Sequence, residues 1–169
     1  MLETQDLILK KASFEDWREL YTNVWSREET ARYMLWSVTK SENAAMERMN
    51  RTMAWQKSHH AWTVYDKKTG KAIGFAGLME LDDGVWEDMG VALGPAYTGR
   101  GLGKQILRAL MDYVFAAQGG KKLICSCRSE NGPSKGVMLS CGMTYTHSEN
   151  RIDERNGSPY VIEFYQIEG

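Results

Sequence analysis

Apolar and polar positions change period several times along the chain, and each change marks an element. Thr4–Lys11, with Leu7, Ile8 and Leu9 at its centre, reads as a first strand. Ser13 stands three residues before Asp16, the spacing of a helix N-cap with its acidic partner. Phe14, Trp17, Leu20, Tyr21 and Val24 then fall along one side of a helix. Trp25–Thr39 has no period but carries Trp25, Tyr33, Met34, Leu35 and Trp36. Ser41 caps a second helix that runs to about Lys57, with Ala45, Met46, Met49 and Met53 as its apolar stripe. Ala61–Tyr65, Ala72–Leu81 and Trp86–Leu93 are strands, joined by the polar turns Asp66–Lys71 and Leu81–Gly84, and so predict an antiparallel meander.

The next stretch organises the rest. After Leu93 come Gly94 and Pro95, then Gly99, Gly101 and Gly103 alternating with Arg100 and Leu102. Leu102, Ile106, Leu110, Tyr113 and Val114 follow at helical spacing, and Gly119-Gly120 supplies the stop. Strand, glycine loop and helix N-terminus are thus contiguous. A helix N-terminus offers free backbone N–H groups and a partial positive charge, and Arg100 and Lys104 add full charges, a combination suited to phosphate or pyrophosphate. Neither nucleotide fingerprint fits. Gln105 stands where a P-loop needs Ser or Thr, and Lys104 where the dinucleotide pattern needs its third glycine.

Lys122–Arg128 is a strand after a helix, so it should run parallel to Trp86–Leu93 through a right-handed crossover. A short helix starts at Glu130–Ser134 and ends at Cys141-Gly142, and Met143–Arg151 and Tyr160–Ile167 close the chain as a strand pair. The expectation is a single domain over residues 1–169, of α/β (α+β) class, with one mixed, mostly antiparallel sheet of seven strands.

Composition narrows the function. Twenty-one basic residues against 22 acidic ones give a net charge of −1, which argues against general nucleic-acid binding. No apolar run is long enough to span a membrane, and the acidic N-terminus lacks a signal-peptide core. Cys125, Cys127 and Cys141 form no C-x-x-C pair and read as free thiols of a cytoplasmic protein; with His59, His60 and His147 they show no metal-ligand spacing, so no metal is expected.

Two motifs carry a family resemblance. Thr98-Gly99-Arg100-Gly101-Leu102-Gly103 resembles the acyl-CoA pyrophosphate loop of the GNAT N-acetyltransferases, Gln/Arg-x-x-Gly-x-Gly/Ala, with Thr98 departing from the usual first residue. Downstream, Asn131, Ser134 and Gly142 match the family's Asn-x-x-Ser/Ala…Gly-Phe segment, with Met143 in place of Phe. The opening strand resembles that of the Rim-type branch, which includes ribosomal-protein N-terminal acetylases.

The resemblance implies a sheet that splays between the fourth and fifth strands, with helices on both faces. It implies acetyl-CoA as cosubstrate and a primary amine as acceptor: a protein N-terminus, a small amine or amino acid, or an amine antibiotic. Backbone N–H groups near Val91 would face the thioester oxygen, and neighbouring backbone groups as far as Leu93 would hold the pantetheine; Thr98 to Lys104 would take the pyrophosphate, and Asn131 would contact the pantetheine arm. Family members often pair through a sheet edge, so a homodimer is compatible with it. The Tyr that protonates the departing thiolate in many members is replaced by Met138, which leaves Ser134 as the candidate acid or else as an N-cap hydroxyl. Asp88, two residues before Gly90, stands where Rim-type sequences commonly show an acid and is the favoured base, followed by Glu87; Glu80 lies on the preceding strand. The alternative for all three is a solvated edge carboxylate. The competing function is a non-catalytic acyl-CoA sensor, which the loss of the helix Tyr keeps open.

Overall fold

The computed structural model describes residues 1–169. One sheet of eight strands forms the frame, in the order β1-β2-β3-β4-β5-β6-β8-β7. The strands are β1 Leu2–Glu3, β2 Leu7–Lys10, β3 His60–Asp66, β4 Ala72–Glu80, β5 Val85–Leu93, β6 Lys122–Arg128, β7 Thr144–Ile152 and β8 Pro159–Glu168. Every neighbouring pair is antiparallel except β5 and β6. The count is eight rather than seven because Leu2–Glu3 folds back on Ile8–Leu9. Two residues are too few to show a period. The hairpin is held by tertiary contacts: Gln105 accepts from the Thr4 hydroxyl at 2.7 Å and donates to Asp6 at 2.7 Å.

Helices cover both faces. α1 (Trp17–Leu20) runs into a wider π turn at Tyr21–Trp25; α2 is Glu28–Ala31 and α3 Glu42–Ser58. α4 (Leu102–Asp112) ends in a second π turn, Tyr113–Ala117, and α5 is Gly132–Ser140. The parity of β3 shows how the faces divide. Trp62 and Val64 join α4, β5 and β6 in a core of 19 buried residues, whereas Tyr65 packs with Leu20, Val24, Trp25 and Met49 in a second core of seven. All five residues Ala61–Tyr65 are therefore buried. The sequence reading left Trp25–Thr39 irregular; the structure adds one short helix there, α2. No helix is long and apolar enough to cross a membrane.

Two features of β5 shape the site. Its parallel pairing with β6 covers only Val85–Glu87 against Lys122–Ile124, and beyond Glu87 the strands part while β6 stays paired to β8 as far as Arg128. On its other edge, the register against β4 shifts: Leu78 faces Asp88, but Ala76 faces Val91. Met89 and Gly90 thus oppose Gly77 alone, a β-bulge. Gly90 has φ +107°, and a Cβ built there would meet nothing within 4 Å.

Candidate active site

Where β5 and β6 part, a cleft of about 420 Å³ opens. Its walls bring together most of the residues singled out in the sequence: Asp88, Val91, Leu93, Thr98, Gly99, Gly101, Leu102, Gly103, Asn131 and Ser134 all line it. Gly99 and Gly101 have φ near +73°, which bends the loop so that α4 starts with its amides open. None of the backbone N–H groups from Gly99 to Lys104 donates to a protein acceptor; the first amide to do so is that of Gln105, to the Gly101 carbonyl. Consecutive unpaired amides at a helix N-terminus fit an anionic diphosphate.

Arg100 and Lys104 do not line the cleft. The Arg100 guanidinium lies 5.5 Å from the Tyr97 ring centroid on the exposed side of the loop. What the loop presents to the cleft is therefore its main chain rather than these two cations. Glu87 lines no cleft either, because strand alternation turns its side chain away from that of Asp88.

Asp88 sits at the fork itself. Parting of the strands leaves the Ser126 N–H without a β5 carbonyl, and the Asp88 carboxylate accepts it at 3.2 Å. Enclosure raises its pKa to about 7; the Ser126 and Gly90 N–H groups oppose the shift, and the charge of Glu87 adds to it. The side chain still meets the cleft. It is thus not a solvated edge carboxylate but one poised to exchange a proton near neutral pH.

The N-cap of α5 is Asn131, whose side-chain oxygen accepts from the Ser134 N–H at 3.2 Å. Ser134 is therefore not the cap. Ser134 and Cys127 line the same cleft, and burial pushes the Cys127 thiol up to about 11. Met138 is buried against the same cleft and carries no exchangeable proton.

A second cleft, about 590 Å³, lies on the other side of the bulge and shares Gly90 with the first. Trp25, Trp36, Trp55, Trp62 and Phe75 line it together with Arg48 and Arg51. The sequence marks the large side chains of Trp25–Thr39 and the apolar stripe of the second helix but gives no sign that the two arginines join them. Their spacing of three on α3 is visible in the sequence; that Arg48 turns in between Trp25 and Trp36, while Arg51 lines the cleft from an exposed position, is not.

The geometry has counterparts among known proteins. The chain is 25% identical over 144 residues to an uncharacterized N-acetyltransferase, p20, of Bacillus licheniformis, covering 82% of this chain and 79% of that one. Its fold superposes with a TM-score of 0.80 on a Vibrio cholerae protein described as a candidate ribosomal-protein-serine acetyltransferase (21% identity, 99% of this chain and 97% of that one). It superposes at 0.84 on the microcin C7 self-immunity acetyltransferase MccE, solved with acetyl-CoA and AMP (17% identity, 98% and 94%). Residues 6–144 match the model of the acetyltransferase (GNAT) domain, and with the splayed β5–β6 pair and the open-amide glycine loop this makes the chain a member of the GNAT acetyltransferase family.

Proposed function

We propose that the protein transfers the acetyl group of acetyl-CoA to a primary amine by direct attack in a ternary complex. The observation that carries this reading is the meeting of two clefts at one glycine. The cleft with the open loop amides and the aromatic cleft both reach Gly90, and Asp88 stands beside it at the fork.

The roles follow from placement. The amides of Gly99, Arg100, Gly101, Leu102, Gly103 and Lys104, with Thr98 at the loop's entrance, receive the diphosphate. The β5 backbone at Val91 and Leu93, freed from β6, holds the pantetheine arm, and Asn131 reaches it from the opposite wall. Direct attack forms a bond from the amine nitrogen to the thioester carbon, and collapse of the tetrahedral intermediate breaks the carbon–sulfur bond. An α-amine has a pKa of about 8, so most of it is protonated at neutral pH. A carboxylate with a pKa near 7 takes that proton without being too weak a base. We assign this role to Asp88, directly or through one water. Ser134 is the hydroxyl placed to return a proton to the departing thiolate. Glu87, outside both clefts, acts only through its charge on Asp88.

Asp88 two residues before Gly90 and the Asn131–Ser134 pair support the Rim-type branch. The acceptor then belongs among protein N-termini, small amines or amino acids, and amine antibiotics. The second reading, a non-catalytic acyl-CoA sensor, draws on Met138, which places no phenol at the thiolate. A thermal-shift titration with acetyl-CoA, CoA and ATP, followed by a thiol-release screen of amines, tests both. Binding to the folded chain alone at 100 times Kd stabilises it by about 2.7 kcal/mol. A shift with both CoA species but not ATP, and thiol release with at least one amine, is expected. Binding without release across the screen would favour the sensor, and the absence of any CoA shift would overturn both readings.

A further inference from the structure

The aromatic cleft has an electrostatic character that the transfer chemistry does not require. Among its 18 lining residues are two arginines and no aspartate or glutamate. Neither Arg48 nor Arg51 forms an ion pair. Arg48 lies 4.7 Å from the Trp25 ring centroid and 4.5 Å from that of Trp36, and its one hydrogen bond is to the Thr39 hydroxyl at 3.2 Å. Arg51 lies one helical turn on and has no hydrogen-bond partner in the protein. The Trp36 indole N–H, in the same wall, is buried without a partner.

Burying a guanidinium without a counter-charge is costly, and stacking on two indoles offsets only part of it. The stacking also fixes the planar fork of Arg48, the geometry that carboxylate and phosphate oxygens match. A cationic acceptor such as a polyamine would meet two like charges and no carboxylate. We propose that the acceptor carries, besides its amine, an anionic oxygen group, carboxylate or phosphate, which Arg48 and Arg51 hold at the Trp25–Trp36 end, with a planar or apolar body lying against Trp55 and Trp62. This deepens the transferase reading and rests on it: the anion fixes the far end of the acceptor so that its amine reaches Gly90.

The test separates anion recognition from catalysis by using probes that cannot be acetylated. Indole-3-acetate, phenyl phosphate and neutral indole-3-ethanol are titrated by ligand-observed NMR into wild-type protein, Arg48→Met, Arg48→Lys and Arg51→Met. Wild type should bind the two anions at least about tenfold more tightly than the alcohol, the worth of a hydrogen bond to a charged group. Arg48→Met and Arg51→Met should each remove about that factor for the anions and leave the alcohol unchanged, with Arg48→Lys between. Phenylacetate, which shares the phenyl ring of phenyl phosphate, is titrated beside it, and the ratio of those two anions in wild type decides between carboxylate and phosphate. Equal binding of alcohol and anions, binding of no probe at all, or undiminished anion binding by both Met variants would overturn the proposal. Acetyl-CoA thermal shifts run in parallel confirm that each variant is folded. A protein that shifts with acetyl-CoA but does not discriminate the probes refutes the anion site alone, whereas one that discriminates them without an acetyl-CoA shift refutes the transferase reading and leaves the anion site standing.

Discussion

At the scale of single residues, the proposed chemistry concentrates on Asp88. Its folded pKa of about 7 lies above the ordinary carboxylate value of about 3.9. Between those values the folded chain holds a proton that the unfolded chain has lost, so this residue makes stability fall as pH rises from about 4 to about 7. Asp88→Asn removes that penalty and still accepts from the Ser126 N–H. The variant should therefore be more stable than wild type near pH 8, by about 2 kcal/mol once the full shift is discounted for water reaching the carboxylate through the cleft, and equal to it near pH 4. Its kcat/KM should fall roughly 10²–10⁴-fold near neutral pH. The deficit should shrink above the amine's own pKa, where neutral amine is abundant. A gain in stability with an unchanged pH–rate profile would make Asp88 a strained structural carboxylate and send the proton to water. A residue that destabilises the fold where it is ionised and speeds the reaction in that same state is the expected signature of a catalytic group.

At the scale of elements, what the sequence showed and what it hid divide by distance along the chain. The meander, the strand–glycine loop–helix unit and the Asn131-to-Gly142 helix rest on neighbours within about ten residues, where hydrophobic period and turn residues act. The loop glycines are therefore legible, whereas Asp88 is singled out only by the family resemblance. The bulge at Gly90, the length over which β5 pairs with β6, and the inward turn of Arg48 are set by partners far off in sequence. The N-cap role that the sequence leaves open at Ser134 falls instead to Asn131, because both residue types suit it. The anchor of the acceptor wall was invisible for the same reason of distance. Arg155, in the β7–β8 turn, donates to the carbonyls of Ala31 at 3.0 Å and Trp36 at 2.7 Å. Asp153 aims it, bonded to both Arg155 and Arg128, and has only 3% of its side chain exposed because the guanidiniums cover it. Those bonds, Arg155 first and Arg128 second, hold the Asp153 carboxyl far below its usual range. Arg155→Met should free the Trp36 segment and raise the acceptor KM about tenfold, leaving the acetyl-CoA Kd unchanged. Because a depressed carboxylate stabilises above its unfolded pKa and loses that contribution as pH falls below it, the stability gap between wild type and variant should close below about pH 4. An equal rise in the acetyl-CoA Kd would show that the anchor supports the whole cleft rather than its acceptor wall.

At the scale of the whole molecule, the two buried clusters give the two halves of the site unequal support. Nineteen buried residues stand behind β5, β6 and α4, where the glycine loop and Asp88 are set; seven stand behind α1, its π turn and α3, which bring Leu20, Trp25, Arg48, Arg51 and Trp55 to the aromatic cleft. Less buried apolar surface means a lower cost of local opening, so the acceptor side should open as a unit before the cofactor side does. Met49 tests this, being fully buried at the centre of the smaller cluster and touching neither cleft. Met49→Ala should cost about 2–5 kcal/mol. If the halves are separable, hydrogen exchange should speed up across α1 and α3 far more than across α4 and β6. Saturating acetyl-CoA, which on the proposed reading binds the better-supported half, should then restore much of the lost Tm by mass action while the exchange of α1 and α3 stays fast. Uniformly faster exchange in all four elements would mean that β3, buried on both faces between the clusters, couples them into a single cooperative unit. In that case acetyl-CoA would protect the aromatic wall as well, and cofactor binding would organise the acceptor side through the sheet.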